Sequence, residues 1–306
     1  MSDIDFSDTI AHWEPLTRPR AKDLEDTRKQ LHWAAQLASA VGTTLNPARP
    51  DDSHTNLEWS ASARGLVSQA SPGPVPLRGL LRFEQPTLEL VRGGGDDPET
   101  LVAIDLDGRR FDDVLAELSR AASEALDRAV SLARPDHAMP AHRVAPASAG
   151  GGGEAFGGWE RHALDELTRW YANGDRALRE VAGQDPRSTP VRCWPHQFDI
   201  ATLLVLERED PAEDLAESTS AVTRSLGVGM TPGDGSYADA YWYVTVWPHP
   251  QTAERPELAS GGIWHEQGWV GAVLTSTALR QPQAQRFTDF MRSALTACET
   301  LASSPP

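Results

Sequence analysis

Residues 134–157 read RPDHAMPAHRVAPASAGGGGEAFG, and this stretch decides how the rest of the chain is divided. Proline and alanine are frequent in it, and four consecutive glycines occupy positions 150–153. Such a composition offers no periodic apolar face to bury, which is typical of a linker. The sequence therefore predicts four parts: an N-terminal arm over 1–20, a first half over 21–133, the linker over 134–157, and a second half over 158–306.

The two predicted halves share one order of elements. Four stretches have the apolar spacing of helices, two in each half: 21–41, 110–132, 159–181 and 282–301. Eight stretches look like strands, four in each half: 55–66, 78–84, 88–92, 101–106, 192–207, 225–231, 240–247 and 262–274. Short turns between strands favour antiparallel sheets with helices on one face. We therefore predict an α+β fold of two similar halves, each helix–four antiparallel strands–helix, which arose by duplication and pack with pseudo-twofold symmetry.

The charge and the cysteines restrict the partners and the compartment. The chain has 306 residues, with 28 Lys and Arg against 44 Asp and Glu, which gives a formal net charge of -16. This charge repels phosphate groups, so we expect neither nucleic acid nor a membrane as a partner. The N-terminal residues lack a signal-peptide pattern, and no apolar run is long enough to span a bilayer. Cys193 and Cys298 fit no disulfide framework, which suggests a cytoplasmic protein and leaves its oligomeric state open.

Three segments of the second half combine histidines with large aromatic side chains. They are 193–199 (CWPHQFD), 227–249 with its YWYVTVWPH ending, and 261–269 (GGIWHEQGW). These segments hold five of the ten tryptophans. Amphipathic aromatic residues concentrated beside histidines favour a pocket for a small molecule over an ordinary core.

We assign roles within that pocket by chemistry. Histidine titrates near neutral pH, and carboxylates or a phenol beside it support proton transfer, so five residues are candidate catalytic groups: His196, His265, Asp199, Glu266 and Tyr241. Seven aromatic residues are expected to line the ligand: Trp194, Phe198, Trp242, Tyr243, Trp247, Trp264 and Trp269. The predicted function is an enzyme that uses histidine acid/base chemistry on a small molecule, in a hydrolysis, an isomerisation or a cyclisation.

Several alternatives remain open at this point. The cofactor is unknown; a divalent metal could assist, with His54, His196 and His265 as its candidate nitrogen ligands, because His54 and His196 occupy matching positions in the two halves. A second alternative is a non-catalytic binding protein with an aromatic cage, for which the acidic charge suits a cationic ligand. A third is a structural module whose histidines are satisfied core groups.

The same segments resemble an uncharacterised bacterial family catalogued as a domain of unknown function. The resemblance rests on Trp194–Asp199 (WPHQFD), Gly227–Asp234 (GVGMTPGD) and Trp264–Leu274 (WHEQGWVGAVL), which match WPH(H/Q)FD, SPGD/TPGD and WHxxGWxGAVL patterns. Leu31-His32 and Ala63–Leu66 extend it into the first half. Two departures are Gln197, where a second histidine is expected, and Ser53–Asn56, which lacks the expected tryptophans. The resemblance implies no activity.

Overall fold

The structure is a computed structural model that describes residues 4–17, 21–94, 98–209, 222–250 and 254–303. Of the predicted N-terminal arm, residues 1–3 and 18–20 lie outside the described residues. The described part contains five α-helices: α1 Ser7–Ala11, α2 Ala21–Leu45, α3 Phe111–Leu126, α4 Arg161–Gln184 and α5 Gln283–Ser303. It contains eleven strands: β1 Leu57–Ser60, β2 Gly65–Ser68, β3 Leu77–Arg82, β4 Thr87–Arg92, β5 Glu99–Asp105, β6 Arg192–Trp194, β7 Asp199–Arg208, β8 Val222–Thr231, β9 Tyr241–Trp247, β10 Ile263–His265 and β11 Gly271–Thr275.

The eleven strands belong to one antiparallel sheet, in the order β10-β11-β9-β8-β7-β6-β1-β2-β3-β4-β5. The prediction of two similar helix–four-strand–helix halves with pseudo-twofold symmetry is therefore wrong. The helices lie near the predicted positions, but the number of strands and the division into sheets differ.

The error has a local cause, because three stretches predicted as single strands fold as hairpins. These stretches are 55–66, 192–207 and 262–274, which form β1–β2, β6–β7 and β10–β11. Each hairpin turn contains one residue in the left-handed region: Arg64 (φ 47°), Phe198 (φ 57°) or Gly268 (φ 87°). A single left-handed residue reverses the chain, although the apolar residues on both sides continue to look like one strand.

The chain forms two compact units, which we describe separately. Unit 1 comprises Met1–Leu16, Asn173–Val191 and Ile200–Pro306, and unit 2 comprises Thr17–Ala172 and Arg192–Asp199. In the described residues, no helix is both long and apolar enough to cross a membrane.

In unit 1, strand β9 separates an inner from an outer side. Trp242 is completely buried on the inner side, where its ring lies 4.3 Å from that of Phe287 in α5. The thiol of Cys298, also in α5, donates to the carbonyl of Val244 at 3.4 Å. Because side chains alternate along a strand, Tyr241 and Tyr243 point to the opposite side. We call this side, opposite α5, the outer face of unit 1.

In unit 2, helix α2 packs closely on strands β2–β4. A Cβ atom at Gly79 would lie only 2.5 Å from the carbonyl oxygen of Ala38, so the helix and the strand approach at a distance that only glycine permits. The 134–157 segment belongs to unit 2 and contains four buried residues, Val144, Ala145, Pro146 and Phe156.

Candidate functional site

Five aromatic side chains of unit 1 meet on its outer face. The members of this aromatic cluster are Tyr237, Tyr241, Tyr243, His265 and Trp269. Tyr241 and Tyr243 are two residues apart on β9 and therefore share a face. Strand β11 pairs with both β9 and β10, which brings His265 of β10 to the same side. Trp269 lies in the β10–β11 turn, and Tyr237 lies in the loop before β9.

The rings of the aromatic cluster are in mutual contact. The centroids of Tyr241, Tyr243 and Trp269 form a triangle with sides of 6.1, 6.4 and 6.5 Å. His265 stacks on Trp269 at 4.0 Å, and Tyr237 meets Tyr241 edge to face at 4.9 Å. Tyr241 and His265 are buried, with 3% and 9% exposure, whereas the other three rings are half-buried. Solvent therefore reaches parts of Tyr237, Tyr243 and Trp269.

A chain of hydrogen bonds fixes the tautomer of His265. Its Nε2 lies 2.8 Å from the carbonyl oxygen of Gln267, which can only accept, so Nε2 carries the proton. Its Nδ1 lies 3.1 Å from the hydroxyl of Tyr237 and therefore accepts from it. Both ring nitrogens of His265 are thus engaged inside the protein, and the proton of the Tyr237 hydroxyl points towards a base.

The carboxylate of Asp234 supports the two tyrosines. It accepts the hydroxyl of Tyr241 at 2.7 Å and the backbone N–H groups of Ser236 and Tyr237 at 2.7 and 3.1 Å. Burial raises the pKa of Tyr237, and the nearby negative charge of Asp234 raises it further. Tyr237 is therefore protonated at neutral pH and can donate to His265.

Glycines on the neighbouring strands make room for the large rings. A Cβ atom at Gly229 of β8 would lie 2.4 Å from the hydroxyl oxygen of Tyr243. A Cβ atom at Gly271 of β11 would lie 2.9 Å from Cζ3 of Trp269. Glycine in a strand commonly marks such a close approach, so both rings pack closely against the neighbouring strands.

The other predicted residues of unit 1 lie away from the aromatic cluster. Trp242 belongs to the core beneath α5. Trp247 is 54% exposed at the end of β9. Trp264 points to the other face of β10, where its indole N–H donates to the carbonyl of Pro256 at 2.8 Å. Glu266 is exposed and forms an ion pair with Arg255 at 2.9 Å.

The residues predicted on segment 193–199 belong to unit 2. His196 is exposed at the turn after β6, with the ring of Trp194 6.1 Å away. Phe198 is buried and stacks on His32 at 4.9 Å, and Asp199, at the start of β7, is half-buried. Since His196 and His265 belong to different units, their shared catalytic role remains a prediction.

The candidate metal ligands do not form a cluster of donors. His54 is buried in unit 2, and its Nδ1 accepts the backbone N–H of Arg49 at 3.2 Å. Throughout the residues described above, no group of three or more histidine, cysteine or acidic side chains has an arrangement that could hold a metal ion.

Three participants in the site were not among the residues assigned from the sequence. They are Asp234, Tyr237 and Gln267, the last through its backbone carbonyl. The pattern Asp234-Gly-Ser-Tyr237 is a usable signal, because an aspartate that begins a turn commonly accepts the backbone N–H two residues later. That turn places Tyr237 beside Asp234. Nothing in the sequence indicates a role for the carbonyl of Gln267.

Comparisons with protein-family models, curated proteins and solved structures find no match to this chain. The resemblance to a bacterial family therefore remains a prediction, and the function has to be argued from the geometry of the site.

Proposed function

We propose that the protein binds a small organic cation at the aromatic cluster of unit 1. The observation that carries this proposal is the triangle of Tyr241, Tyr243 and Trp269, with centroids 6.1 to 6.5 Å apart. A cation above the centre of such a triangle lies within about 6 Å of all three centroids, the range in which aromatic rings attract cations.

The electrostatics of the cluster support a cation over a neutral or an acidic ligand. The carboxylate of Asp234 is held at the edge of the cluster by the hydroxyl of Tyr241. The net charge of -16 adds an attractive long-range field for cations. The hydroxyls of Tyr237 and Tyr241 are both donated inside the protein. The exposed parts of the Tyr237, Tyr243 and Trp269 rings are therefore the main binding surface that remains.

This surface is suited to a methylated ammonium group. Such a group is weakly hydrated and apolar on its outside, so it is attracted to aromatic faces at a small cost in desolvation. A strongly hydrated inorganic ion would lose more in desolvation than the rings return. Tetramethylammonium is consequently a suitable probe, with sodium ion as its comparison.

Calorimetric titration with tetramethylammonium tests the proposal. We expect saturable binding by the wild-type protein, which Tyr243→Leu and Trp269→Leu each weaken at least tenfold. Tyr243→Phe keeps the ring and should bind nearly as the wild type does. Trp247→Leu removes an exposed tryptophan outside the cluster and serves as the matched control. Equal binding by Tyr243→Leu and the wild type, or the absence of binding by the wild type, would overturn the proposal.

A second candidate function, acid/base catalysis on the bound cation, is favoured by one observation. Tyr237, His265 and the carbonyl of Gln267 form a proton donor, a base and a group that orients the base. In this function Tyr237 would take a proton from the substrate as it passes its own proton to Nδ1 of His265. Tyr237→Phe should then retain the binding of tetramethylammonium and abolish any turnover found among ammonium-bearing substrates. Unchanged turnover by Tyr237→Phe would exclude this function.

The remaining expectations on compartment and partners belong to the same proposal. Two free, buried cysteines support a cytoplasmic location, because reduced thiols persist in a reducing compartment. The acidic charge argues against nucleic acid as a partner. Failure to bind DNA or RNA at low salt in a gel-shift assay checks the latter, and binding there would contradict it.

A further inference from the structure

Unit 2 contains a small cavity on the side of the sheet that faces away from α2. Its volume is about 100 Å³, and its polar lining includes Ser60, Ser62, Arg78 and Arg82. Arg78 and Arg82 are four residues apart on β3 and therefore share the face opposite Gly79, which packs on α2. No carboxylate is among the described residues that line the cavity.

The two arginines differ in their partners. Arg82 donates from Nε to Glu89 at 2.6 Å and from Nη1 to the carbonyl of Ala63 at 3.3 Å. Arg78 has no hydrogen-bond or ion-pair partner among the described residues, and its Nε is buried without an acceptor. A buried donor without an acceptor is costly, and it is rare in native proteins.

The hydroxyls of the lining add donors. Ser60 and Ser62 lie 3.3 Å apart and share one hydrogen bond, which needs only one of their two hydroxyl protons. The other proton is available to an acceptor in the cavity. The lining therefore offers a planar guanidinium and a hydroxyl donor to a molecule that only accepts.

From these observations we infer that the cavity binds a small oxyanion, a carboxylate or a phosphate, with Arg78 as its main contact. Guanidinium groups match the spacing of two oxygens in both anions. A cavity of about 100 Å³ is far smaller than the usual pockets for larger organic ligands, so it fits the anionic group alone or the end of a longer molecule. The site lies in unit 2 and is independent of the proposed cation site.

Thermal unfolding of the full chain in sodium phosphate, sodium acetate and sodium chloride at equal ionic strength tests the inference. A ligand that binds only the folded protein raises the unfolding temperature by an amount that grows with the logarithm of one plus its concentration over its Kd. We expect phosphate or acetate to raise this temperature beyond chloride, and the more effective anion identifies the ligand class. Arg78→Gln should weaken the apparent binding at least tenfold. Arg92 lies outside the lining, so Arg92→Gln is the control and should bind the anion as the wild type does.

Arg78→Lys provides a second variant that retains the charge but not the two-pronged geometry. We expect it to bind the anion more weakly than the wild type and more tightly than Arg78→Gln. Because Arg78 has no partner among the described residues, both variants should be folded in chloride, with an unfolding temperature no lower than that of the wild type. No difference among the three anions with the wild type, or an unchanged anion effect in Arg78→Gln, would overturn the inference.

Discussion

Gly229→Ala is the substitution that most directly tests the packing of the proposed cation site. The added Cβ would lie 2.4 and 2.5 Å from Oη and Cζ of Tyr243, and 2.9 Å from the carbonyl oxygen of Ile200. Two of these atoms belong to a rigid ring and one to the backbone, so rotation of a flexible side chain cannot relieve the overlap. The ring of Tyr243 has to move away from the sheet.

The expected cost follows from the nature of these contacts. Overpacking of a rigid environment typically lowers the free energy of unfolding by about 1–3 kcal/mol. Gly227→Ala on the same strand is the matched control. Its Cβ would lie 2.5 Å from the hydroxyl oxygen and 3.9 Å from the Cβ of Thr245, so both close atoms belong to one side chain. Rotation of that side chain relieves the overlap at a cost of about 0.5–1.5 kcal/mol. Alanine also gives the unfolded chain less conformational entropy than glycine does, which stabilises the folded protein and partly offsets this cost.

Urea denaturation followed by circular dichroism measures both variants. We expect Gly229→Ala to be less stable than Gly227→Ala, and the difference to shrink when Tyr243→Leu is present in both. The displaced ring should also weaken the binding of tetramethylammonium in Gly229→Ala only. Equal stability of the two alanine variants when Tyr243 is present, or a difference that Tyr243→Leu leaves unchanged, would refute the described position of this ring.

Two further predictions concern stability. Phe287→Ala removes a completely buried ring that contacts Trp242 at 4.3 Å, so it should lower the free energy of unfolding by about 3–5 kcal/mol in urea denaturation; a cost below about 1 kcal/mol would contradict the described core. Burial lowers the pKa of His32 to about 3 in the folded protein, whereas an unfolded histidine titrates near 6.5. As the pH falls from about 6.5 towards 3, the unfolded chain binds this proton and the folded protein does not, so the free energy of unfolding decreases. His32→Gln should therefore remove about 2 kcal/mol of the stability lost between about pH 7.5 and 5, measured by urea denaturation at both values; an unchanged loss would show that His32 is not buried as described.

The helices could be predicted from the sequence because their apolar residues recur at helical spacing. In α3, Phe111, Val114, Leu115 and Leu118 were expected on one stripe, and they are buried. The end of this helix was less predictable. Asp127 adopts a left-handed conformation and ends the helix there, although the apolar spacing continues to Val130. Periodicity reports which residues are buried, not where the chain leaves the helix.

The strands show the same limit more strongly. Alternation between buried and exposed residues continues through a tight turn, so the hairpins at Arg64, Phe198 and Gly268 could not be distinguished from long strands. A sheet that joins strands from both predicted halves also depends on pairings distant in sequence, such as Leu57 with Cys193. No local pattern carries that information.

The aromatic cluster was predictable in part. The alternation on β9 indicated that Tyr241 and Tyr243 share a face, and the enrichment in tryptophan drew attention to Trp269. Their meeting with His265 depends on the register between β9, β10 and β11, which the sequence does not reveal. Asp234 and Tyr237 enter through a loop, where the backbone conformation rather than periodicity decides which side chains meet.

Proton NMR of tetramethylammonium in the presence of the protein tests the central proposal most directly. Aromatic rings shield nuclei above their faces, so binding among Tyr241, Tyr243 and Trp269 should move the methyl signal upfield as the protein concentration rises. Trp269→Leu should abolish most of this shift, and Trp247→Leu should leave it unchanged. No shift with the wild-type protein, or one that Trp269→Leu leaves intact, would contradict the assignment of this cluster as a cation site.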